Sequence, residues 1–151
     1  MRRAFLFPIL AIAVALPLAS QVSERTKAEA LVKEGFAFMK ANGKAAFVAE
    51  VQKASGKFHT KPEHPLYLFV YDMNGVVLAH GAEVNLLGAN RLQVKDPDGK
   101  QYVKEFIALG QGKGSGWVDY KRMNPEDRKI EQKTSFVLGA EGIVIGCGIY
   151  R

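Results

Sequence analysis

Two short apolar runs that flank an Asn-Gly dipeptide constrain the fold of this chain more than any other feature. The runs cover residues 66–72 and 76–80, and Asn74-Gly75 lies between them. Asn-Gly readily adopts the two positive φ angles of a type I′ turn, whose twist matches that of paired antiparallel strands. The pattern therefore predicts a β-hairpin.

The first run carries two kinds of side chain in alternation. Because successive side chains of a strand point to opposite faces, three aromatic residues share one face and three aliphatic residues share the other. They are Tyr67, Phe69 and Tyr71 against Leu66, Leu68 and Val70. An aliphatic face suits contact with a helix, whereas an aromatic face with two hydroxyl groups is typical of a pocket wall. The alternation thus predicts one covered face and one ligand-binding face.

The rest of the chain supplies the other elements of an α+β fold. Apolar residues at three- and four-residue spacing predict helices over 23–40, 45–53 and 100–109. Runs bounded by turn residues predict three further strands over 116–121, 129–138 and 143–150. Five strands joined mainly by hairpins form an antiparallel sheet, and the long N-terminal helix is expected to pack on one face. The other face and the irregular segment 82–99 are then free to enclose a ligand.

The N-terminal segment has the order of a secretory signal peptide. Arg2 and Arg3 precede an uncharged apolar run over 4–18, and small residues follow it. This run of 15 residues is shorter than the ~20 residues that span a bilayer, and an uncleaved signal anchor is the alternative. We predict a signal peptide over 1–20 and a single mature domain over 21–151 without a transmembrane helix, located in the periplasm or secreted.

Composition excludes several classes of function. One Cys supplies neither a disulfide framework within the chain nor a multi-thiolate metal site. Without residues 1–20, 19 Lys and Arg stand against 15 Asp and Glu, interspersed rather than gathered into the basic stripe of a nucleic-acid-binding protein. No nucleophile with an adjacent base is evident, so neither an enzyme, a metal nor a cofactor is expected. The mildly positive balance favours a small anionic ligand.

An ordered set of short motifs resembles one known family. The motifs lie at 67–75, 78–80, 88–90, 95–100, 114–120, Lys133 and 146–150. Together they resemble a single Cache domain of type 2 over residues 27–150. The resemblance implies a PAS-like five-stranded antiparallel sheet behind a long N-terminal helix. It also implies a domain that binds small molecules, often short carboxylates, outside the cytoplasmic membrane for chemoreceptors and sensor kinases.

The chain departs from the receptor pattern at three places. Gly81 stands where many relatives have Pro after the histidine, and Arg122-Met123 replaces the usual Trp-Pro before the Asn-Pro loop. The rim of the pocket is therefore expected to differ. The sequence also ends at Arg151, where a receptor would continue into a transmembrane helix and a signalling module. The resemblance is thus to the short, stand-alone secreted members of the family.

Six residues are predicted to bind the ligand: Phe69, Tyr71, His80, Trp117, Tyr120 and Lys133. Lys133 offers a fixed positive charge, His80 a donor whose charge depends on pH, and the tyrosines neutral donors. An anion in an apolar pocket needs such donors because an unpaired buried carboxylate is costly. Structural roles are the alternatives: a solvated Lys133 opposite Glu131 or Asp119, a His80 bonded to a carbonyl oxygen, and packing roles for the aromatic residues.

The sequence thus predicts a non-enzymatic sensor domain for a short carboxylate such as acetate, pyruvate, lactate or propionate. It is expected to act in signal transduction or chemotaxis with a separate partner, such as a membrane receptor. The alternative is an interaction module of the cell envelope, whose N-terminal helix forms a homodimer and which has no small ligand.

Overall fold

The computed structural model describes residues 16–151, with side chains from residue 23 onward. Residues 1–15 of the predicted signal peptide lie outside the described residues, and residues 16–20 belong to the first helix. The division into a signal peptide and a mature domain at residue 20 therefore stays a prediction. Within residues 16–151, no helix has the length and apolar character needed to cross a membrane.

The described residues form an α+β fold. The helices are α1 (Leu16–Asn42), α2 (Lys44–Gln52) and α3 (Tyr102–Gln111), with a short 3₁₀ helix over Val84–Leu86. The strands are β1 (Phe69–Asp72), β2 (Val77–His80), β3 (Ser115–Met123), β4 (Ile130–Ala140) and β5 (Ile143–Tyr150). They form one antiparallel sheet in the order β2-β1-β5-β4-β3. The predicted PAS-like fold with a five-stranded antiparallel sheet is confirmed.

Helix α1 extends beyond the predicted range 23–40 at both ends, since the described residues are helical from Leu16 to Asn42. The helix ends at Asn42, and Gly43 follows with a φ of 87°. Glycine adopts this left-handed conformation without a steric penalty, which explains why the helical pattern is interrupted here before α2.

The sheet carries a helix on each face. On one face, Leu68 and Val70 share an apolar core with Val32 of α1, as the alternation predicts. On the other face, Phe69 stacks on Phe106 of α3 with their ring centroids 5.4 Å apart. The sequence analysis leaves this face free to enclose a ligand, but along β1 it is covered by α3.

The predicted hairpin is present, but its turn is of another type. Asp72 Oδ1 accepts hydrogen bonds from the backbone N–H groups of Asn74 at 2.9 Å and Val76 at 2.8 Å. Gly75 has a φ of 81°, whereas Asn74 is not in the left-handed region. This is the arrangement of a three-residue loop in which only the glycine is left-handed, so the type I′ expectation is wrong.

Strand β1 is shorter than the predicted range 66–72. The N–H group of Leu68 donates to the carbonyl of Phe58 at 3.0 Å, and its carbonyl accepts from Gly81 at 2.8 Å. Residues 66–68 therefore run beside the 58–60 loop and extend the aromatic alternation beyond the sheet. The prediction for β5, residues 143–150, matches the structure.

Candidate ligand-binding site

Lys133 lies near the start of β4, between β3 and β5, and is buried. It is paired with Tyr120 of β3 and with Tyr150 of β5, and directly opposite residues in an antiparallel pair share a face. Its side chain therefore points to the α3 side of the sheet, and only 2% of the residue is exposed. The alternative of a solvated Lys133 is wrong.

Two phenolic hydroxyls hold the Lys133 ammonium group. Its Nζ donates to Tyr67 Oη at 2.8 Å and to Tyr150 Oη at 3.2 Å. It also lies 4.3 Å from the centroid of the Tyr150 ring, a favourable cation–π position. Among the described residues no Asp or Glu forms an ion pair with it. The site therefore contains a buried cationic group without an anionic partner.

The charge of Lys133 is not fixed, as the sequence analysis assumes, but depends on pH. Burial disfavours the ammonium form, and the neighbouring Arg122 guanidinium adds to this effect, so that the pKa of Lys133 falls to about 7. An anion that entered the site would reverse the shift by stabilising the charged form. Lys133 is thus a cation whose protonation is coupled to what lies beside it.

Tyr67 and Tyr150 both line a cavity of about 420 Å³. Its walls come from α1, the 60–67 loop, Ala82, the end of β5 and the loop between β3 and β4, and they also include Glu24, Glu126 and Gly148. We call it the tyrosine cavity. A cavity of this volume lies at the lower end of the range for small-molecule sites, which suits a ligand of few atoms.

His80 is neutral in this environment. Its Nδ1 accepts hydrogen bonds from the backbone N–H groups of Glu83 at 2.9 Å and Ala82 at 3.3 Å, which places the ring proton on Nε2. Burial, reinforced by Arg122, lowers the pKa of His80 to about 2. The prediction of a pH-dependent charge on His80 is therefore corrected: the ring is a fixed neutral donor directed towards Glu83, whose Oε2 lies 3.6 Å from Nε2.

A partly buried ion pair that the sequence analysis does not anticipate lies beside His80. Arg122 of β3 pairs with the carboxylate of Glu83, and its Nη1 donates to Tyr102 Oη at 3.3 Å. Burial by itself would lower the pKa of Arg122. The neighbouring Tyr102 and Glu83 raise this pKa by more, so that it lies above its ordinary value. Arg122 is therefore a permanent cation at the rim that the family resemblance singles out as unusual.

The sequence profile of the family described as Single Cache domain 2 matches residues 45–151. This chain belongs to the Single Cache domain 2 family. The match covers all five strands and every residue that lines the tyrosine cavity except Glu24 of α1.

Curated relatives of this Cache domain include two signalling proteins. The sensor histidine kinase MctS of Rhizobium johnstonii is 36% identical over 86 residues, which are 56% of this chain and 18% of that protein. The methyl-accepting chemotaxis protein McpP of Pseudomonas putida is 28% identical over 90 residues, 58% of this chain and 16% of that protein. The chain thus spans less than a fifth of the length of either relative.

Solved structures similar to the Cache domain are also sensor domains. A periplasmic sensor domain of a chemotaxis protein superposes with a TM-score of 0.70 at 26% identity, over 90% of this chain and 99% of that chain. A Cache chemosensory domain described for its recognition of carboxylic acids superposes with a TM-score of 0.65 at 24% identity, over 91% and 99% of the two chains. At this sequence identity, the similarity to the second structure shows a shared fold.

Three of the predicted site residues lie under α3 rather than around the tyrosine cavity. Phe69, Tyr71 and Tyr120 are buried in an aromatic cluster with Phe106. None of the six predicted site residues lines the tyrosine cavity itself; Lys133 is connected to its wall through Tyr67 and Tyr150. The hydroxyl of Tyr120 lies 2.9 Å from Ser135 Oγ. These rings pack together on the face of the sheet to which Lys133 points.

Trp117 lies on the opposite face of the sheet. It packs on Phe136, with ring centroids 5.4 Å apart, and the Arg25 guanidinium of α1 lies 4.6 Å from its ring. Positions 117 and 120 differ by an odd number of residues along β3, so their side chains point to opposite faces. The prediction that Trp117 joins Lys133 at one site is corrected for this reason.

The sequence analysis did not include Tyr67, Tyr150, Glu83 and Arg122 among the six site residues, although it placed Tyr67 on the aromatic face of the first strand. Period two could have indicated two of them, because it places Tyr67 with Phe69 and Arg122 with Tyr120. Glu83 lies in the irregular segment 82–99, where no periodicity indicates the direction of a side chain.

Proposed function

We propose that this Cache domain senses a short monocarboxylate outside the cytoplasmic membrane and binds it beside Lys133. The observation that carries the proposal is the buried Lys133 ammonium group, which has no carboxylate partner among the described residues and is held by the hydroxyls of Tyr67 and Tyr150, two residues that line a cavity. A buried charge without a counter-charge is costly. A ligand carboxylate would supply that counter-charge.

The donor set suits one carboxylate. An ammonium group has three N–H donors, and Tyr67 and Tyr150 accept from it, which leaves one donor for a ligand oxygen. Tyr150 Oη donates its own proton to the carbonyl of Met123 at 3.0 Å, so that this hydroxyl is fixed as the acceptor for Lys133. The Tyr67 hydroxyl and the neutral His80 ring are the nearby groups proposed to assist.

The ligand is proposed to be acetate, propionate, lactate or pyruvate, or an acid of similar size. At the ceiling of about 1.5 kcal/mol per heavy atom, five or six atoms provide roughly 8 kcal/mol, which corresponds to a micromolar dissociation constant. Affinities in this range allow rapid release, which suits sensing. The signalling relatives support a sensory role in chemotaxis or in a kinase pathway, with a membrane receptor or kinase as the proposed partner.

Isothermal titration of the purified protein with the four acids tests the proposal. Lys133→Met removes the charge and keeps most of the apolar stem, and we expect it to weaken binding at least about tenfold, as for the loss of a charged hydrogen bond. Lys129→Met is the matched control, because Lys129 is exposed and pairs with Asp127 at the start of β4. Equal affinities of the wild type and Lys133→Met would contradict the proposal.

Dimerisation through the N-terminal helix has less support as the main function. The apolar residues of α1 that are buried contact the sheet of the same chain; they are Ala28, Leu31, Val32 and Met39. A homodimer stays a prediction, which light scattering of the purified protein tests.

A further inference from the structure

We propose that a second cavity, separate from the tyrosine cavity, binds an organic anion with an apolar body. This cavity has a volume of about 520 Å³, and its walls include Arg91, Tyr102 and Arg122. We call it the arginine cavity. Pro125 lines both cavities, but Tyr67 and Tyr150 line only the tyrosine cavity, and Arg91 and Arg122 line only the arginine cavity. Each site can therefore be tested with its own variants.

Two guanidinium groups converge on one hydroxyl in the wall of the arginine cavity. Arg91 Nη2 donates to Tyr102 Oη at 3.1 Å, and Arg122 Nη1 lies 3.3 Å from the same oxygen. Tyr102 is held in place by its ring, which stacks on Tyr120 with centroids 4.3 Å apart. The positions of both cations are therefore set by a rigid aromatic pair.

The two cations are not neutralised equally. Glu83 pairs with Arg122, whereas Arg91 forms no ion pair with a described residue, and its Nε is buried without a hydrogen-bond partner. Buried donors in native proteins are almost always satisfied, and one that is not calls for an explanation. A ligand carboxylate beside Arg91 would supply both the missing acceptor and the missing charge.

Part of the rim of the arginine cavity is apolar, beside the charged residues Lys95, Asp96 and Lys121. In the described part of the chain, the large hydrophobic residues that remain exposed are Val84, Leu87, Met123 and Ile130. Met123 and Ile130 are cross-strand partners that line the cavity, and Val84 and Leu87 flank Leu86, which also lines it. Exposed apolar groups gathered around one site, rather than scattered, indicate a binding surface.

Cationic groups next to exposed apolar side chains favour a ligand that has both a carboxylate and an apolar body. A medium-chain or aromatic monocarboxylate would place its carboxylate at Arg91 and its apolar body against Met123 and Ile130, which removes apolar surface from water. Acetate is too small to cover the rim. Glu83 and Asp96 line the cavity together with Arg91, Lys95, Lys121 and Arg122, so that its wall keeps an excess of positive charge for a ligand carboxylate. The arginine cavity is thus expected to prefer acids with a large apolar body, whereas the tyrosine cavity is proposed to bind acids of few atoms.

Titration with octanoate, below its micellar concentration, in the presence and absence of saturating acetate tests this site. We expect one octanoate per chain with or without acetate. Arg91→Gln should weaken octanoate at least about tenfold, as for the loss of a charged hydrogen bond, and Ile130→Ser should weaken it while leaving acetate unchanged. Lys113→Gln, at an exposed position of the α3–β3 loop, removes one charge elsewhere and should bind octanoate as the wild type does. Thermal unfolding establishes that each variant is folded.

Several outcomes would overturn the second site. They are competition between octanoate and acetate, loss of octanoate binding in Lys133→Met, or unchanged octanoate affinity in folded Arg91→Gln. Sedimentation of wild type and Ile130→Ser tests the other use of an apolar rim, since a dimer that Ile130→Ser dissociates would make the rim an interface between copies and overturn the proposal. Failure of acetate binding alone would contradict the proposed function and leave the octanoate site standing.

Discussion

The buried Lys133 side chain passes across the space that Gly148 leaves empty. A Cβ atom at position 148 would lie 2.4 Å from Lys133 Cε and 2.3 Å from Ser135 Oγ, both much closer than van der Waals contact. The glycine in the β5 sequence is therefore a condition for placing an ammonium group beneath the tyrosine cavity. Its role is steric rather than conformational, because Gly148 is not in the left-handed region.

We predict that Gly148→Ala displaces Lys133 and weakens acetate binding while lowering the unfolding free energy by about 1–3 kcal/mol, the usual cost of overpacking a core. Gly146→Ala is the matched control. It lies on the same strand, and its Cβ would lie 2.3 Å from the Phe69 ring instead. Urea unfolding should show that both variants lose stability, and titration should show that only Gly148→Ala loses acetate. Normal acetate binding by Gly148→Ala would contradict the steric role.

The low pKa of Lys133 predicts that stability rises with pH just above neutrality. Burial and Arg122 lower this pKa from 10.5 in the unfolded chain to about 7 in the folded one. Above pH 7 the unfolded state therefore binds more protons than the folded state, and the unfolding free energy increases with pH by up to about 1.4 kcal/mol per unit. At higher pH, Cys147 opposes the trend, because burial raises its pKa from 9.0 to about 12.

Urea unfolding of the ligand-free protein between pH 7 and pH 9 checks this slope. Lys133→Met should lose the rise and be more stable than the wild type at pH 7, because it no longer buries a charge. A wild-type profile as flat as that of Lys133→Met would show that Lys133 titrates normally.

The Arg122–Glu83 pair is predicted to stabilise the fold through mutual compensation. Glu83→Gln leaves a largely buried guanidinium without its carboxylate, and we expect a loss of about 2 kcal/mol, less than for a fully buried pair because Glu83 retains partial exposure. Arg122→Met in the same chain should recover most of that loss. A double-mutant cycle of unfolding free energies measures the coupling, and strictly additive effects of the two substitutions would contradict the pairing.

Trp117 is predicted to support the α1 face and to play no part in acetate binding. Trp117→Phe should lower the unfolding free energy by about 1 kcal/mol, because a smaller ring leaves part of the contact with Arg25 and Phe136 unfilled. The acetate dissociation constant should not change. A marked loss of acetate affinity without loss of stability would contradict this prediction and show that Trp117 contributes to acetate binding.

The fold was largely predictable from sequence because its signals are local. Alternation in 66–72 separates the two faces, and β5 is bounded by turn residues on its N-terminal side. The site was less predictable because it depends on long-range placement. That α3 covers Phe69 and Tyr71, or that Glu83 reaches Arg122, follows from how distant segments meet, which no periodicity encodes.

The sequence showed which residue types could bind an anion, but it did not show their protonation states. Lys133 and His80 were identified by residue type, but their protonation depends on burial and on Arg122, neither of which is evident in the sequence. For both residues the environment reverses the expectation: Lys133 becomes the group that titrates near neutrality, and His80 the one that stays neutral.

Proton uptake on acetate binding at pH 8 tests the central claim most directly. Titration calorimetry in buffers of different ionisation enthalpy counts the protons. Because the free site has a pKa of about 7 and a bound carboxylate stabilises the ammonium form, we predict that acetate binding takes up close to one proton per chain. His80→Asn, which keeps an acceptor at the Nδ1 position, should show the same uptake. Binding of acetate by the wild type without proton uptake would contradict the account.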